Sequence, residues 1–465
     1  MKGSGKRAAV VLAAGDGKRL RSSLPKVLHR VAGRPLLGHV IAALEPLGLD
    51  RVVAVVSPRI DELRKSDESL DFGSAGFAIQ DPPRGTGDAV RVALEELGGA
   101  PGTVLVVPGD APLLRTETLD ALFELHRSAG ATATLLTADL DDPTGYGRVV
   151  RGVGSAVERI VEHGDATEEE LALHEMNAGV YVFDGEALAS MLPKLDDSNA
   201  QGEFYVTDVI GLLRAEGLGV VAYKTDAVET SGVNDRAQLS AAGRFLQERA
   251  CEDLMAGGVT IVDPQTTYID PTVVIESDSI ILPMTFLEGS TVIRSGAEVG
   301  PQTRIIDSEI GPGATVTFSV VRHSTVGPAA SVGPYASLRP GTVLEEGVHI
   351  GTFVETKKTT IGRGSKAPHL AYLGDAEIGE NVNVGAGTIT CNWDGVAKHK
   401  TVIEDDAYIS SDTMLVAPVR IGKGAATGAG SVVRDDVPDG ALAVGVPARI
   451  IEGKGNRKKK KPSPG

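Results

Sequence analysis

Two rhythms of apolar positions divide this chain. In the first half, Ala8 to Leu12, Val52 to Val56 and Val104 to Val107 are unbroken aliphatic runs. Between and beyond them, the segments around Val27–Leu28, His39–Leu44, Asp88–Leu97 and Glu117–Ser128 carry helical spacing. Apolar runs without alternation mark strands covered on both faces, so the pattern predicts a parallel, Rossmann-like α/β sheet. Right-handed crossovers then gather the C-terminal ends of the strands on one edge, where such sheets bind ligands.

Near residue 233 the rhythm changes. Asp235–Met255 predicts one helix with Leu239, Phe245, Leu246, Ala250 and Leu254 as its apolar positions. Beyond it, Val326, Val332, Leu338, Leu344 and Ile350 stand six residues apart. The pattern returns at Ile361, Ile378 and Val384, then at Ile403, Ile409, Leu415, Ile421, Thr427 and Val433. A period of six suits neither an ordinary helix nor an alternating strand. It fits a parallel β-helix whose triangular coils turn one aliphatic side chain inward on each face, and residues 260–445 then hold roughly ten coils. Gly364–Gly374 and Thr390–Lys400 break the repeat with His, Asn, Trp and Lys. These breaks predict irregular loops on a rigid scaffold, places favoured for binding and catalysis. The expected organisation is an α/β domain over 1–233, a linker helix over 234–256, a β-helix over 257–450 and a basic, disordered tail over 451–465.

Composition sharpens this picture. The 57 glycines in 465 residues amount to about 12%, against an ordinary figure near 7%. With aromatics at 4%, the core must be aliphatic and the turns frequent. The net charge of −16 argues against nucleic-acid binding through bulk charge, the Lys454–Lys461 stretch being a local exception. No apolar run is long enough to span a membrane, and the short basic N-terminus meets a strand at once, which predicts no secretory signal. Cys251 and Cys391 cannot form a disulfide framework or a zinc site. The expected location is the cytoplasm.

Candidate chemistry lies at two places. Leu12–Leu20 is a small-residue loop after the first strand, followed by Lys18, Arg19 and Lys26. Phosphates bind where free backbone N–H groups meet nearby cations. Val104–Asp110 ends in Pro-Gly-Asp and sets a carboxylate on the ligand edge, of the kind that holds a divalent metal between phosphates. Gly85-Thr-Gly87 offers a second backbone-lined turn, while Gly145–Arg148, Glu162, Glu175–Gly179 and Gly232–Asp235 supply groups suited to sugar hydroxyls and a metal. In the second half, Arg339, Glu355, Lys357, Ser365–Gly374, Asn383 and Thr390–Lys398 form the densest polar cluster. A single histidine is more often structural than catalytic, but His369 stands in a break of the repeat among Lys, Tyr and Asn. An imidazole, with its ordinary pKa near 6.5, is an apt base for an amine to be acylated.

Leu12 to Leu28 resembles the signature of the sugar-nucleotide pyrophosphorylases. Together with Gln80, Gly85–Gly87, Gly109-Asp110, Glu162, Asn177, Asn234 and the six-residue repeats, it resembles one group in particular. That group joins an N-acetylglucosamine-1-phosphate uridyltransferase to a glucosamine-1-phosphate N-acetyltransferase, and the resemblance covers about residues 7–450. It implies a left-handed β-helix, homotrimers with active sites between subunits, and UTP, glucosamine 1-phosphate and acetyl-CoA as substrates. It further implies that Leu12, Ala13, Ala14, Gly15, Gln80, Gly85 and Thr86 surround uracil and ribose, and that Gly147, Glu162, Asn177 and Thr207 grip the sugar. Asp110 and Asn234 would hold a catalytic Mg²⁺, and Arg19 and Lys26 would stabilise the leaving pyrophosphate. In the acetyltransferase half, His369 would be the base, with Glu355 orienting or polarising it. Arg339, Lys357 and Lys398 would pair with the sugar phosphate, Tyr372 and Asn383 would place the sugar, and Ala386, Asn392, Trp393, Ser411 and Ala429 would line the acetyl-CoA channel. The product, UDP-N-acetylglucosamine, is a cell-wall precursor.

The chain departs from that pattern at Pro108, where a tyrosine is common, and at Trp393, where a tyrosine is usual. It also lacks a basic residue near Gly445, whose coenzyme contact Arg449 or the lysine-rich tail would take over. Two other readings are a nucleotidyltransferase for a different sugar 1-phosphate with a non-catalytic β-helix, and a repeat scaffold that binds partners through its flat faces.

Overall fold

The computed structural model describes residues 5–446 apart from 16, 68, 69 and 71. The expected basic tail over 451–465, and Arg449, lie outside the described residues. The chain divides into two compact units between Leu246 and Gln247, inside the helix Arg236–Ala256.

In the first unit, the strand Arg7–Ala13 lies parallel between Arg51–Val56 and Thr103–Pro108, and Gly76–Ile79 extends the sheet beyond Arg51–Val56. Successive residues of these strands feed two different cores, which is why the runs are unbroken. Val11, Val56 and Val107 pack on one face with Leu37, Val40 and Leu122. Val10, Val55 and Val106 pack on the other with Val90, Phe183 and Val209. The helices Leu36–Leu44, Thr86–Glu96 and Thr116–Ala129 cover these faces, whereas Lys26–Leu28 is a single 3₁₀ turn. Pro25 stands before that turn in extended backbone, a conformation that keeps the preceding loop from joining the helix.

The sheet is mixed rather than wholly parallel. Glu175–Asp184 runs antiparallel to both Thr103–Pro108 and Ala133–Asp139. A parallel return needs a crossover of a dozen or more residues, usually a helix. Here the chain makes instead the antiparallel ribbon Arg148–Arg151 with Val157–Val161, followed by the short helix Glu168–Leu171.

The second unit is a parallel β-helix. Each short strand pairs with one a coil later, as in Val274↔Val292 and Ser331↔His349. Val326, Val332, Leu338, Leu344 and Ile350 are at most 2% exposed and stack into one apolar column. The Gly364–Gly374 break is not an irregular loop. Lys366–Ile378 is a continuous strand paired with His349–Ile361 from end to end. Its inward places are filled by Ala367, Ala371, Leu373 and Ala376, so small side chains keep the register where larger aliphatics were expected. Thr356 and Thr390 are also buried in line with the column. Thr356 spends its hydroxyl on Thr342 at 2.9 Å and Thr390 on the Gly374 carbonyl at 3.0 Å; a buried hydroxyl is tolerated once it is bonded. Of the Thr390–Lys400 break, Thr390 and Cys391 stay in the ladder opposite Leu415 and Val416, and the rest loops out, since Ala376 and Ile378 pair directly with Thr401 and Ile403 beyond it. Among the described residues, no helix is long and apolar enough to cross a membrane.

Because Leu338 is fully enclosed by its neighbours, Leu338→Ala is expected to lower stability by about 2–5 kcal/mol through lost burial and a cavity. Denaturant unfolding followed by far-ultraviolet circular dichroism measures this.

Candidate active sites

Where Arg7–Ala13 and Thr103–Pro108 end, the backbone closes tightly. The Gly109 N–H donates to the Leu12 carbonyl at 2.8 Å, and a Cβ on Gly109 would lie 3.0 Å from that of Ala13. Glycine is needed there for two loops to pass. Beyond them opens a cavity of about 320 Å³. Leu12, Ala13, Ala14 and Gly15 form its floor, and Lys26 and Asp110 stand on one side. Gln80, Gly85 and Thr86 line it from the second turn, and Glu162, Asn177 and Thr207 from the far wall. The second turn is locked to that wall. Gly85 has φ +107, and a Cβ on it would fall 2.6 Å from the Phe204 carbonyl oxygen. The Gly87 N–H donates to that oxygen at 2.7 Å, and the Phe204 N–H to Arg84 at 2.9 Å.

On the far wall, the Thr207 hydroxyl donates to Glu162 at 3.2 Å. Burial, aided by Asp208 and Asp165, pushes the Glu162 carboxyl above the ordinary range. Asn177 donates to the Tyr181 hydroxyl at 2.6 Å and accepts from the Gly179 N–H at 3.2 Å. Gly147 is not among the residues that line the cavity. It supports the wall from behind: its carbonyl accepts from the Asn177 N–H at 2.9 Å, and a Cβ on it would stand 3.4 Å from Glu162 Oε2.

Cations and oxygens meet at the mouth. Lys26 forms an ion pair with Asp110 and donates to Asn234 Oδ1 at 3.2 Å. Arg19 donates to the same oxygen at 2.8 Å. A neighbouring hollow of about 310 Å³ is lined by Gly15, Gly17, Arg19, Lys26 and Asn234. The Lys18 side chain is outside what the structure describes.

On the β-helix, His369 is exposed on Lys366–Ile378, opposite Thr352. Tyr372 lies in register beside Glu355. The Glu355 carboxylate accepts from Arg339 at 2.6 Å, and among the described residues no hydrogen bond joins it to His369. Lys357 and Lys398 face each other. Direct side-chain contact with Lys398, then the charge of Lys398 and that of Arg339, hold the Lys357 ammonium pKa below the ordinary lysine range.

Lys398 sits on the looped-out segment, paired with Trp393 in an antiparallel bridge. Asp394 stiffens that loop by accepting from the Val396 and Ala397 N–H groups and from His399 at 2.7 Å each. These bonds, the Ala397 N–H foremost, bring its carboxyl down to about 2. Asn392 is buried and donates to Asp375 at 2.6 Å, with the Tyr372 hydroxyl 3.5 Å away. Asn383 is in register with Lys366 and Tyr408. Ala386, Ser411 and Ala429 occupy one corner of successive coils, tied by Asp412 N–H to Ala386 O at 2.6 Å and Gly430 N–H to Ser411 O at 2.9 Å. Trp393 is half exposed at 52%.

The residues not anticipated include Pro83, Ala89, Tyr181, Glu203 and Val206 in the first cavity and Asp375 in the second site. Tyr181 is fully buried within Val180–Phe183 and reads as core. Asp375 is set by a left-handed turn, φ +49, that no spacing announces.

If Lys398 depresses the Lys357 pKa by repulsion, Lys398→Ala should let it rise toward the ordinary lysine range. Nuclear magnetic resonance titration of labelled lysine side chains reads that shift, and an unchanged Lys357 would show that the two charges do not interact.

Residues 9–175 match the MobA-like NTP transferase domain. The chain is 50% identical to the bifunctional protein GlmU of Thermobifida fusca, with 99% of this chain and 96% of that protein covered. It is 50% identical to its namesake in Carboxydothermus hydrogenoformans, over 94% of this chain and 96% of that protein. Against the Streptomyces avermitilis protein of the same name the identity is 48%, over 94% and 91% respectively.

Proposed function

This chain belongs to the bifunctional GlmU family, and from that premise we propose how its two sites divide the synthesis of UDP-N-acetylglucosamine. The β-helix acts as the glucosamine-1-phosphate N-acetyltransferase and the α/β domain as the UDP-N-acetylglucosamine pyrophosphorylase. We assign these activities to residues 257–450 and 1–233, with 234–256 as the helix between.

In the first reaction Arg339, Lys357 and Lys398 bind the sugar phosphate, while Tyr372 and Asn383 place the ring. His369 takes a proton from the amine as its nitrogen attacks the thioester carbonyl of acetyl-CoA. The C–S bond then breaks, and the coenzyme thiolate leaves and is protonated. Glu355, held by Arg339, favours the developing imidazolium through its field. Ala386, Asn392, Trp393, Ser411 and Ala429 border the coenzyme.

In the second reaction a phosphate oxygen of N-acetylglucosamine 1-phosphate attacks the α-phosphorus of UTP in line. The bond to the bridging oxygen breaks and pyrophosphate leaves, so the protein's tasks are positioning and charge neutralisation. Leu12–Gly15, Gln80, Gly85 and Thr86 hold the nucleoside, and Glu162, Asn177 and Thr207 the sugar, with Gly147 supporting Asn177 from behind. Arg19 and Lys26 meet the pyrophosphate.

Asp110 and Asn234 suit Mg²⁺. Both present hard oxygens, and both oxygens already draw cationic donors. An ion held by one carboxylate and one amide oxygen would complete its shell with water and substrate phosphates. When bound, Mg²⁺ supplies charge neutralisation on those phosphates.

Assembly as a homotrimer through the β-helix is supported by an exposed ladder. Phe318, Tyr335 and Phe353 stack coil on coil, with ring centroids 5.7 and 5.8 Å apart. Tyr335 and Phe353 are 57% and 62% exposed, and so is Leu370 beside His369, at 60%. Apolar surface of this kind marks a protein contact. Two free cysteines and nucleotide and thioester substrates fit the cytoplasm.

The observation that carries the reading is the separation of two charge-bearing sites in one chain, each with the groups its reaction needs. Incubation with glucosamine 1-phosphate, acetyl-CoA, UTP and Mg²⁺, omitting one at a time, tests it. His369→Ala is expected to slow acetyl transfer by about 10²–10⁴-fold, the usual worth of a general base, and to leave uridylyl transfer unchanged. Asp110→Ala should do the reverse, and equal loss of both activities in either variant would sink the two-site scheme.

A further inference from the structure

Gln80 is 3% exposed and lines the first cavity. Its carboxamide carries two N–H donors and one carbonyl oxygen. Nε2 donates to the Gly85 carbonyl at 3.1 Å and to Asp88 Oδ2 at 2.8 Å. A peptide carbonyl and a carboxylate have no hydrogen to give, so the amide has one allowed orientation. Reversed, it would press Oε1 against two acceptors. The nitrogen is thereby spent inside the protein, and Oε1 is the polar atom left for a ligand.

Asp88 enforces this choice. It is 8% exposed, on the first turn of the helix Thr86–Glu96. Its second oxygen, Oδ1, accepts from Arg91 Nη2 at 2.6 Å and Nε at 3.2 Å. Burial opposes the charge, but the bonds from Gln80 and Arg91 outweigh it and hold the carboxyl below the ordinary range. At neutral pH the group is therefore an acceptor on both oxygens.

We infer that Asp88 is a positioning residue that sets the base selectivity of the nucleotide site: it locks Gln80 so that a carbonyl oxygen meets the base. This selects a pyrimidine with an N–H at ring position 3, as in uracil, over cytosine, which presents a lone pair there. The inference rests on the uridylyl-transfer reading and adds the device by which that site chooses its nucleotide.

The isosteric variant Asp88→Asn carries a definite consequence. Arg91 only donates, so it keeps the Asn carbonyl and turns the new NH₂ toward Gln80. That pulls Gln80 to present Oε1 to position 88 and its NH₂ to the cavity, against the remaining preference of the Gly85 carbonyl for the NH₂. A donor now faces the base, which opposes uracil and suits cytosine. In Asp88→Ser a hydroxyl that can give or accept imposes no polarity, and only the Gly85 carbonyl is left to orient the amide.

The test measures kcat/KM for UTP and for CTP, with N-acetylglucosamine 1-phosphate, on the full-length protein. In Asp88→Asn the UTP to CTP ratio should fall about tenfold, because a mismatched polar pair is then buried against uracil. Asp88→Ser should show a smaller fall, and it keeps the test open if the Asn variant does not fold. Arg91→Met, which leaves the Asp88–Gln80 bond in place, should hold the ratio near that of the unaltered protein. An unchanged ratio in both position-88 variants, or equal use of CTP and UTP by the unaltered protein, overturns the inference and leaves nucleotidyl transfer standing. Absence of any turnover of UTP by the unaltered protein overturns the functional reading itself.

Discussion

A β-helix coil admits one inward side chain per face at every sixth position, and the second half of this molecule depends on that constraint. Stacking leaves no slack along the column. Any chain that cannot be packed inward must leave the coil entirely and return in register, as Asn392–Lys400 does before Thr401 resumes the ladder. The groups that flank such an excursion inherit the rigidity of the column. Glu355 and Tyr372 stand side by side because their strands are paired over their whole length. Lys398 is carried across to Lys357 on a loop that Asp394 stiffens from within. Rigid support of this kind holds a site to its working geometry.

In the α/β domain the corresponding constraint is close approach of backbone. Around the cavity, a side chain at Gly85 would collide with the Phe204 main chain, and one at Gly109 would crowd Ala13 and the Leu12 carbonyl. Each lies where a strand or turn hands the chain to the cavity. The apolar cores on both sheet faces fix the strands, and the contact between Gly85 and Phe204 ties the second turn to the wall across the cavity. Placement of the polar groups thus follows from the packing of groups that do no chemistry.

The elements with strong periodicity were legible in the sequence. The central strands, the helices Thr86–Glu96 and Thr116–Ala129, and the six-residue column all coincide with apolar patterns. Less legible was whatever depends on small side chains or on pairing direction. Ala367 and Ala376 keep the coil intact where aliphatics were awaited, because the column needs a buried atom and not a bulky one. The antiparallel strand Glu175–Asp184 was hidden because direction leaves no mark on composition. The first cavity gathers nearly all of the expected nucleotide residues, since they sit at strand ends that topology brings together. The attachment of Glu355 to Arg339 was not legible, because both partners stand on different coils and only the register decides which charges meet.

The two sites solve one electrostatic problem in opposite ways. The substrates are anions and the chain carries a net charge of −16, so each site must supply local positive charge against the field of the whole. In the α/β domain, Lys26 and Arg19 are already satisfied by Asp110 and Asn234, and a polyphosphate must exchange those partners for itself. Binding there trades one set of charge-assisted bonds for another, which favours selectivity over raw attraction. On the β-helix, Lys357 and Lys398 face each other beside Arg339 and work against one another. Their exposure lets water screen the repulsion, so holding them costs the fold little. A phosphate that enters relieves the repulsion and gains two ammonium partners at once. On the proposed reading, the first site is thereby suited to telling one nucleotide from another, and the second to drawing in a small sugar phosphate.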